Sequence, residues 1–70
     1  MFIETAKAVF NEIKEIYKST GSPIPLYLVY DRCRKKYGLS IFVIKNCLKW
    51  LMKHGHIKWE GEGKLVPLES

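Results

Sequence analysis

Residues 38–57 read GLSIFVIKNCLKWLMKHGHI, and this segment is the most informative part of the chain. Gly38 suits the left-handed backbone conformation that closes one helix, and Ser40 is a favourable N-cap for the next. Apolar residues then recur with the 3.6-residue period of a helix: Ile44, Leu48 and Leu51. A Gly-x-apolar sequence at 55–57 ends that helix and opens a strand. The stretch therefore predicts a helix, a tight turn, a second helix and an extended segment.

The sequence predicts three helices, two before the turn at residues 38–40 and one after it. Apolar periodicity predicts an amphipathic helix over residues 3–18. Its solvent-exposed side is predicted to mix charges of both signs: Lys7, Glu12, Lys14, Glu15 and Lys18. Turn-forming residues at 19–23 end this helix, and Ile24 can add a short strand. Helix 2 is predicted from about Pro25 to Tyr37, and helix 3 from about Ile41 to His54.

Helix 3 divides into three sectors when its residues are placed on a helical wheel. The core sector is Ile41, Ile44, Leu48, Leu51 and Met52. A basic stripe with one aromatic residue contains Phe42, Lys45, Asn46, Lys49 and Lys53. The remaining, partly apolar sector contains Val43, Cys47, Trp50 and His54. One face of this helix is thus predicted to be buried and another to be strongly cationic.

The C-terminal part of the chain predicts a β-hairpin. Ile57-Lys58-Trp59 alternates in polarity, as does Lys64-Leu65 across the turn. The Gly61-Glu62-Gly63 segment supplies the positive φ that a tight hairpin requires. Pro67 is expected either to end the last strand or to place it at a sheet edge. The fold class is therefore α+β, with a three-helix core and a C-terminal β-hairpin in one domain, residues 1–70.

Positive charge is concentrated in the middle of the chain. The 70 residues carry a net charge of +5, and the sequence pI is about 9.4. Between positions 31 and 58, eight basic residues oppose the single acid Asp31, whereas the rest of the chain sums to −2. This distribution favours a polyanionic partner. An early Glu4 and short apolar runs argue against a signal peptide or a membrane span, so a cytoplasmic location is expected. No membrane partner is predicted.

The order of helix, short strand, helix, turn, helix and hairpin resembles the winged helix-turn-helix family of DNA-binding domains. Small archaeal and archaeal-virus regulators are the most similar in style. The resemblance covers about residues 6–68, and its most specific segment is the one at 39–57. It implies that helix 3 enters the major groove of double-stranded DNA and that the hairpin, the wing, contacts the backbone or the minor groove. It therefore implies a transcriptional regulator.

The candidate DNA-binding residues follow from this resemblance and from the charge pattern. They are Arg34, Lys35, Lys36, Ser40, Phe42, Lys45, Asn46, Lys49, Lys53, Lys58 and Lys64. Lysines are expected to bind phosphates and to contribute affinity more than sequence discrimination. Asn46 can pair with adenine, and Phe42 either contacts a thymine methyl group or a partner's pocket, or folds back onto helix 2.

A second interpretation is a winged helix that binds protein within a larger complex. The sequence Ile41-Phe42-Val43 after the cap and the acidic hairpin residues Glu60 and Glu62 favour this alternative. Candidate contact points for a second copy of the chain, in a homodimer, or for another protein are Val43, Trp50 and Leu28. RNA binding is a third alternative.

Catalytic and metal-binding chemistry is not expected. No nucleophile–base pair, carboxylate pair or phosphate-binding glycine loop is recognisable, so neither an enzyme nor a cofactor is predicted. Cys33, Cys47, His54 and His56 lack the spacing of a zinc site. Two reduced thiols are the expected state of the cysteines, with a disulfide between helices 2 and 3 as the alternative.

Overall fold

The computed structural model describes residues 2–68, which form three helices and a small antiparallel sheet. The helices are α1 (Phe2–Thr20), α2 (Leu26–Tyr37) and α3 (Ile41–Lys53). The strands are β1 (Ile24–Pro25), β2 (Ile57–Trp59) and β3 (Lys64–Pro67). The prediction of an α+β chain with a three-helix core and a C-terminal hairpin is confirmed, and the observed helix ends lie within two residues of the predicted ones.

The turn between α2 and α3 forms as its sequence predicts. Gly38 adopts a φ of 68°, and its N–H donates a hydrogen bond to the Arg34 carbonyl oxygen, which closes α2. Ser40 is extended, and its Oγ accepts a hydrogen bond of 3.2 Å from the Val43 N–H. The direction of α3 is thus set by two local devices within three residues.

The three strands form one antiparallel sheet in the order β1-β3-β2. Ile24 pairs with Leu65, and Leu65 also pairs with Trp59 on the other side. Ile57 and Leu65 are buried, whereas Lys58 and Trp59 are exposed. Because β3 is the central strand, the edge placement predicted for it is wrong; Pro67 is its last residue, so the other alternative holds.

The core lies between the three helices and the inner face of the sheet. Thirteen buried residues form one cluster: Ala6, Val9, Ile13, Ile16, Ile24, Val29, Cys33, Ile44, Cys47, Leu48, Leu51, Ile57 and Leu65. Eight partly buried side chains, among them Leu39, Trp50 and Met52, pack against this cluster. Both cysteines are free thiols within the core, as the reduced-thiol prediction expects.

Two predicted burial states are wrong. The helical period places Ile41 in the core, but this residue is 54% exposed, because it begins α3 at an open cleft that it lines with Tyr27, Tyr30 and Arg34 of α2. The sequence places Glu12 on the solvated side of α1, yet Glu12 is only 1% exposed. Among residues 2–68, none of the helices has the length and apolar character needed to cross a membrane.

Candidate functional site

The side of α3 that points away from the core carries five of the predicted site residues. This surface, called the outer face of α3, consists of Phe42, Lys45, Asn46, Lys49 and Lys53. At 3.6 residues per turn they occupy about 100° of the helix circumference, opposite a buried arc of similar width. The buried arc is formed by Ile44, Cys47, Leu48 and Leu51. All five outer residues are exposed, so packing of α3 on the core presents them together to solvent.

Phe42 is the most exposed large apolar residue described in the chain. It is 80% exposed and lies in the first turn of α3. The alternative in which it folds back onto α2 is therefore wrong. Asn46 follows one helical turn later on the same face and makes no side-chain hydrogen bond within residues 2–68. An aromatic ring and a free amide thus lie side by side on the cationic surface.

The three lysines of the outer face are not engaged by acids. Helix α3 contains no acidic residue, and Lys45, Lys49 and Lys53 form no ion pair with any other residue in the described part of the chain. Their spacing of four residues corresponds to about 6 Å along the helix axis, so the three ammonium groups follow one line about 12 Å long. This line of positive charge can bind an extended row of anions.

The predicted cations on α2 are paired with carboxylates within the protein. Arg34 and Lys35 form exposed ion pairs with Asp31, at 3.4 and 3.2 Å. Such pairs contribute little stability and exchange readily with solvent, so both side chains remain accessible to a partner. Lys36 differs, because its Nζ lies 2.9 Å from Oε2 of the buried Glu12. Its predicted position at a DNA backbone would require breaking that pair.

Glu12 organises a polar cluster that sequence reasoning missed. Its carboxylate accepts hydrogen bonds from Arg32 at 3.0 Å, from Lys36 at 2.9 Å and from the Tyr37 hydroxyl at 2.8 Å. Burial raises the pKa of Glu12, but the hydrogen bonds from these three donors together lower the pKa by more than burial raises it. The pKa of Glu12 therefore lies below its ordinary value. The hydrogen bond to Glu12 raises the pKa of Lys36 and that of Tyr37. The cluster ties α1 to the C-terminal half of α2.

The available signal for this cluster was the spacing on α2. Arg32 and Lys36 are separated by one helical turn, so both can reach a single acid on a neighbouring helix. Glu12 also lies at the margin of the apolar stripe of α1, about 40° from Ile16. A cleft of about 590 Å³ opens over the cluster, with Glu15, Tyr17 and Lys18 among its other lining residues. Its one buried carboxylate is already satisfied, so among residues 2–68 the cleft offers no unpaired buried polar atom to a ligand.

The hairpin presents two of the predicted lysines with mixed surroundings. Lys58 lies 3.7 Å from Glu60 in a loose, exposed ion pair. Lys64 is exposed at the start of β3, where it pairs in register with Pro25. Both glycines of the turn have positive φ, 80° at Gly61 and 68° at Gly63. The hairpin tip therefore presents charges of both signs.

The apolar candidates for a protein interface are distributed differently from the lysines. Leu28 and Trp50 are partly buried against the core, and Val43 is only marginally exposed. The indole of Trp50 stacks on His54, with ring centroids 4.1 Å apart, and on His56 at 5.9 Å. Trp50 thus stacks on two histidine rings of its own chain, and only the rest of its indole surface is available to a partner.

Residues 2–68 contain no group of three or more His, Cys, Asp or Glu side chains that could hold a metal ion. Desolvation by burial raises the pKa of Cys33 to about 11, with a further contribution from Glu12, and it raises the pKa of Cys47 as well. His54 Nδ1 lies 2.9 Å from the Trp50 carbonyl oxygen. Both thiols are buried in the core, and the contact of the His54 ring lies within its own chain.

Comparison with protein-family models, with curated proteins and with solved structures gives no match to this chain. Residue chemistry and geometry are therefore the only basis for a functional proposal.

Proposed function

We propose that this protein is a winged helix-turn-helix protein that binds double-stranded DNA through the outer face of α3, and that it acts as a transcriptional regulator. The observed order of elements is compatible with a winged-helix layout. The observation that carries the proposal is the row of three lysines on the side of α3 opposite the core, none of which has an acidic partner within residues 2–68.

The dimensions of α3 suit the major groove. A helix with its side chains is about 10–12 Å in diameter, and the groove of B-form DNA is about 12 Å wide. Thirteen residues make α3 about 20 Å long, which is comparable with the 28 × 24 × 20 Å extents of the molecule. In this arrangement Lys45, Lys49 and Lys53 bind phosphates along the groove, and the hairpin adds Lys64 and Lys58.

The proposal makes a quantitative statement about salt. Each phosphate neutralised by a lysine releases condensed cations and contributes about −0.9 to the slope of log K against log salt. Lys45, Lys49, Lys53 and Lys64 have no acidic partner in the described chain, and four such contacts give a slope of about −3.6. Replacement of Lys45 and Lys49 by Ala should flatten the slope by about 1.8 and weaken binding on all sequences alike.

Fluorescence anisotropy with a labelled random-sequence duplex at several salt concentrations tests this statement. The matched control is the double variant Lys7→Ala, Lys18→Ala, which removes the same charge from exposed positions on α1. The control should keep the wild-type slope within about half a unit. Equal slopes for the Lys45/Lys49 variant and the wild type would remove α3 from the interface. Competition with duplex RNA in the same assay decides between the two nucleic acids.

A protein-interaction module is the second candidate function, and the exposure of Phe42 favours it. An aromatic side chain that is 80% exposed suits a partner's pocket, and the acidic tip residues Glu60 and Glu62 suit a basic partner. Under this alternative the response to duplex DNA would be weak and insensitive to salt. A stable complex in pull-down that is lost in Phe42→Ala, together with that weak response, would favour the module over the DNA-binding protein.

A further inference from the structure

The exposed ring of Phe42 bears on which base pairs α3 would read. Phe42 and Asn46 are separated by one helical turn and about 40° of circumference, so they are neighbours on the outer face. The lysines at 45 and 49 lie on one side of this pair, about 20–100° around the helix. When these lysines bind phosphates at one edge of the groove, the two uncharged side chains lie on the adjoining arc of the helix, toward the base edges.

Each of the two side chains has a specific counterpart on an A·T pair. The C5-methyl group of thymine is the apolar group that the major groove displays, and a phenyl ring can cover it. A side-chain amide can donate to N7 and accept from N6 of adenine at the same time. The free amide of Asn46 and the solvated ring of Phe42 are both available for these contacts.

The same face lacks the groups that discriminate G·C pairs most effectively. Residues 41–53 contain no Arg, Gln, Asp or Glu, so neither the guanidinium fork for guanine nor a carboxylate for cytosine is present on α3. A lysine ammonium can approach guanine, but it is a point charge that phosphate satisfies equally well. Discrimination therefore depends on the pair of uncharged residues.

We propose that Phe42 and Asn46 together make α3 selective for A·T base pairs, with Phe42 covering a thymine methyl group and Asn46 pairing with adenine. This inference rests on the proposed DNA-binding function. The axial separation of about 6 Å between the two residues compares with about 3.4 Å per base pair, so they address pairs one or two steps apart.

Removal of the thymine methyl group alone isolates the role of Phe42. Four duplexes of equal length are compared by anisotropy: an A·T-rich duplex, the same duplex with deoxyuridine in place of thymidine, a G·C-rich duplex, and the latter with 5-methylcytosine. Wild type should lose about fourfold in affinity for each covered methyl group that is removed, the equivalent of one buried carbon. Phe42→Ala should not distinguish thymidine from deoxyuridine. The control Tyr27→Ala, which removes another exposed aromatic residue from α2, should distinguish them as the wild type does.

The role of Asn46 is separated by the G·C-rich duplexes. Asn46→Ala should reduce the preference of the wild type for the A·T-rich over the G·C-rich duplex by about tenfold. Asn46→Ala should still bind the duplex with deoxyuridine more weakly than the duplex with thymidine. In the wild type, 5-methylcytosine should raise the affinity for the G·C-rich duplex, because Phe42 can cover the added methyl group.

The outcomes separate this inference from the function on which it rests. Equal affinity of the wild type for all four duplexes, with a steep salt slope, would overturn the base selectivity and leave the DNA-binding function intact. A thymidine preference that survives in Phe42→Ala would likewise overturn the assignment. Absence of salt-dependent binding to any duplex would overturn both.

Discussion

Substitution of Glu12 by Gln tests the polar cluster between α1 and α2, because it keeps the size of the side chain and removes its charge. The carboxylate is 1% exposed and has three donors within 3.0 Å. Removing one partner of a fully buried ion pair costs about 3–5 kcal/mol. Here Arg32 and Lys36 are 45% and 49% exposed, so water can solvate both cations once the charge is gone. We therefore expect a loss of about 2 kcal/mol in the free energy of unfolding at pH 7.

The pH dependence of this loss has a definite sign. The pKa of Glu12 in the folded protein lies below its ordinary value of 4.5. The stability that Glu12 contributes is therefore complete above the unfolded pKa and disappears as the pH falls through the folded one. Urea denaturation followed by circular dichroism should show wild type and Glu12→Gln converging below pH 4.5.

The control for this experiment is Glu15→Gln, which removes an exposed carboxylate from the same helix. It should change the free energy of unfolding by less than about 0.5 kcal/mol at pH 7. The reasoning is refuted if Glu12→Gln is as stable as the control at pH 7. It is refuted equally if the difference between Glu12→Gln and the wild type stays constant from pH 7 to pH 3.

Two further predictions concern the helix cap and the thiols. Ser40→Ala removes the hydrogen bond to the Val43 N–H and should cost about 1 kcal/mol in urea denaturation, whereas Ser40→Asp should restore most of it; equal stability of all three proteins would contradict the role of the cap. Cys33 and Cys47 should resist Ellman's reagent at pH 8 in the native protein, because both are buried and the pKa of Cys33 is raised to about 11. Both should react at once in denaturant, and rapid labelling of either thiol in the native protein would contradict their burial.

Local signals explain why much of the fold could be predicted. Gly38 and Ser40 act within a few residues of themselves, and the periodicity of Ile44, Leu48 and Leu51 reports directly which side of α3 is buried. The outer face of α3 follows from the same geometry, because it is the arc opposite the core. These features depend on backbone conformation and helical period, which a short window of sequence contains.

The features that could not be predicted depend on contacts between distant segments. Glu12 meets its donors across 20 to 25 residues, so its burial is decided by how α1 packs on α2. Ile41 fits the apolar period of α3, yet it is exposed because the cleft with α2 is open at that end. The ion pair between Lys36 and Glu12 depends on the burial of Glu12, so it could not be predicted from the sequence for the same reason.

The pairing of cations within the chain also sets how the molecule would turn in an external field. Of the eight basic residues between positions 31 and 58, five lie beside a carboxylate. The three with no carboxylate partner among residues 2–68 are all on the outer face of α3. Uncompensated charge gathered on one side of this segment produces a torque near a polyanion. That torque acts over roughly one Debye length, about 10 Å in 0.1 M salt. A molecule approaching at random would thus be rotated during the encounter, so that α3 leads before any atom touches.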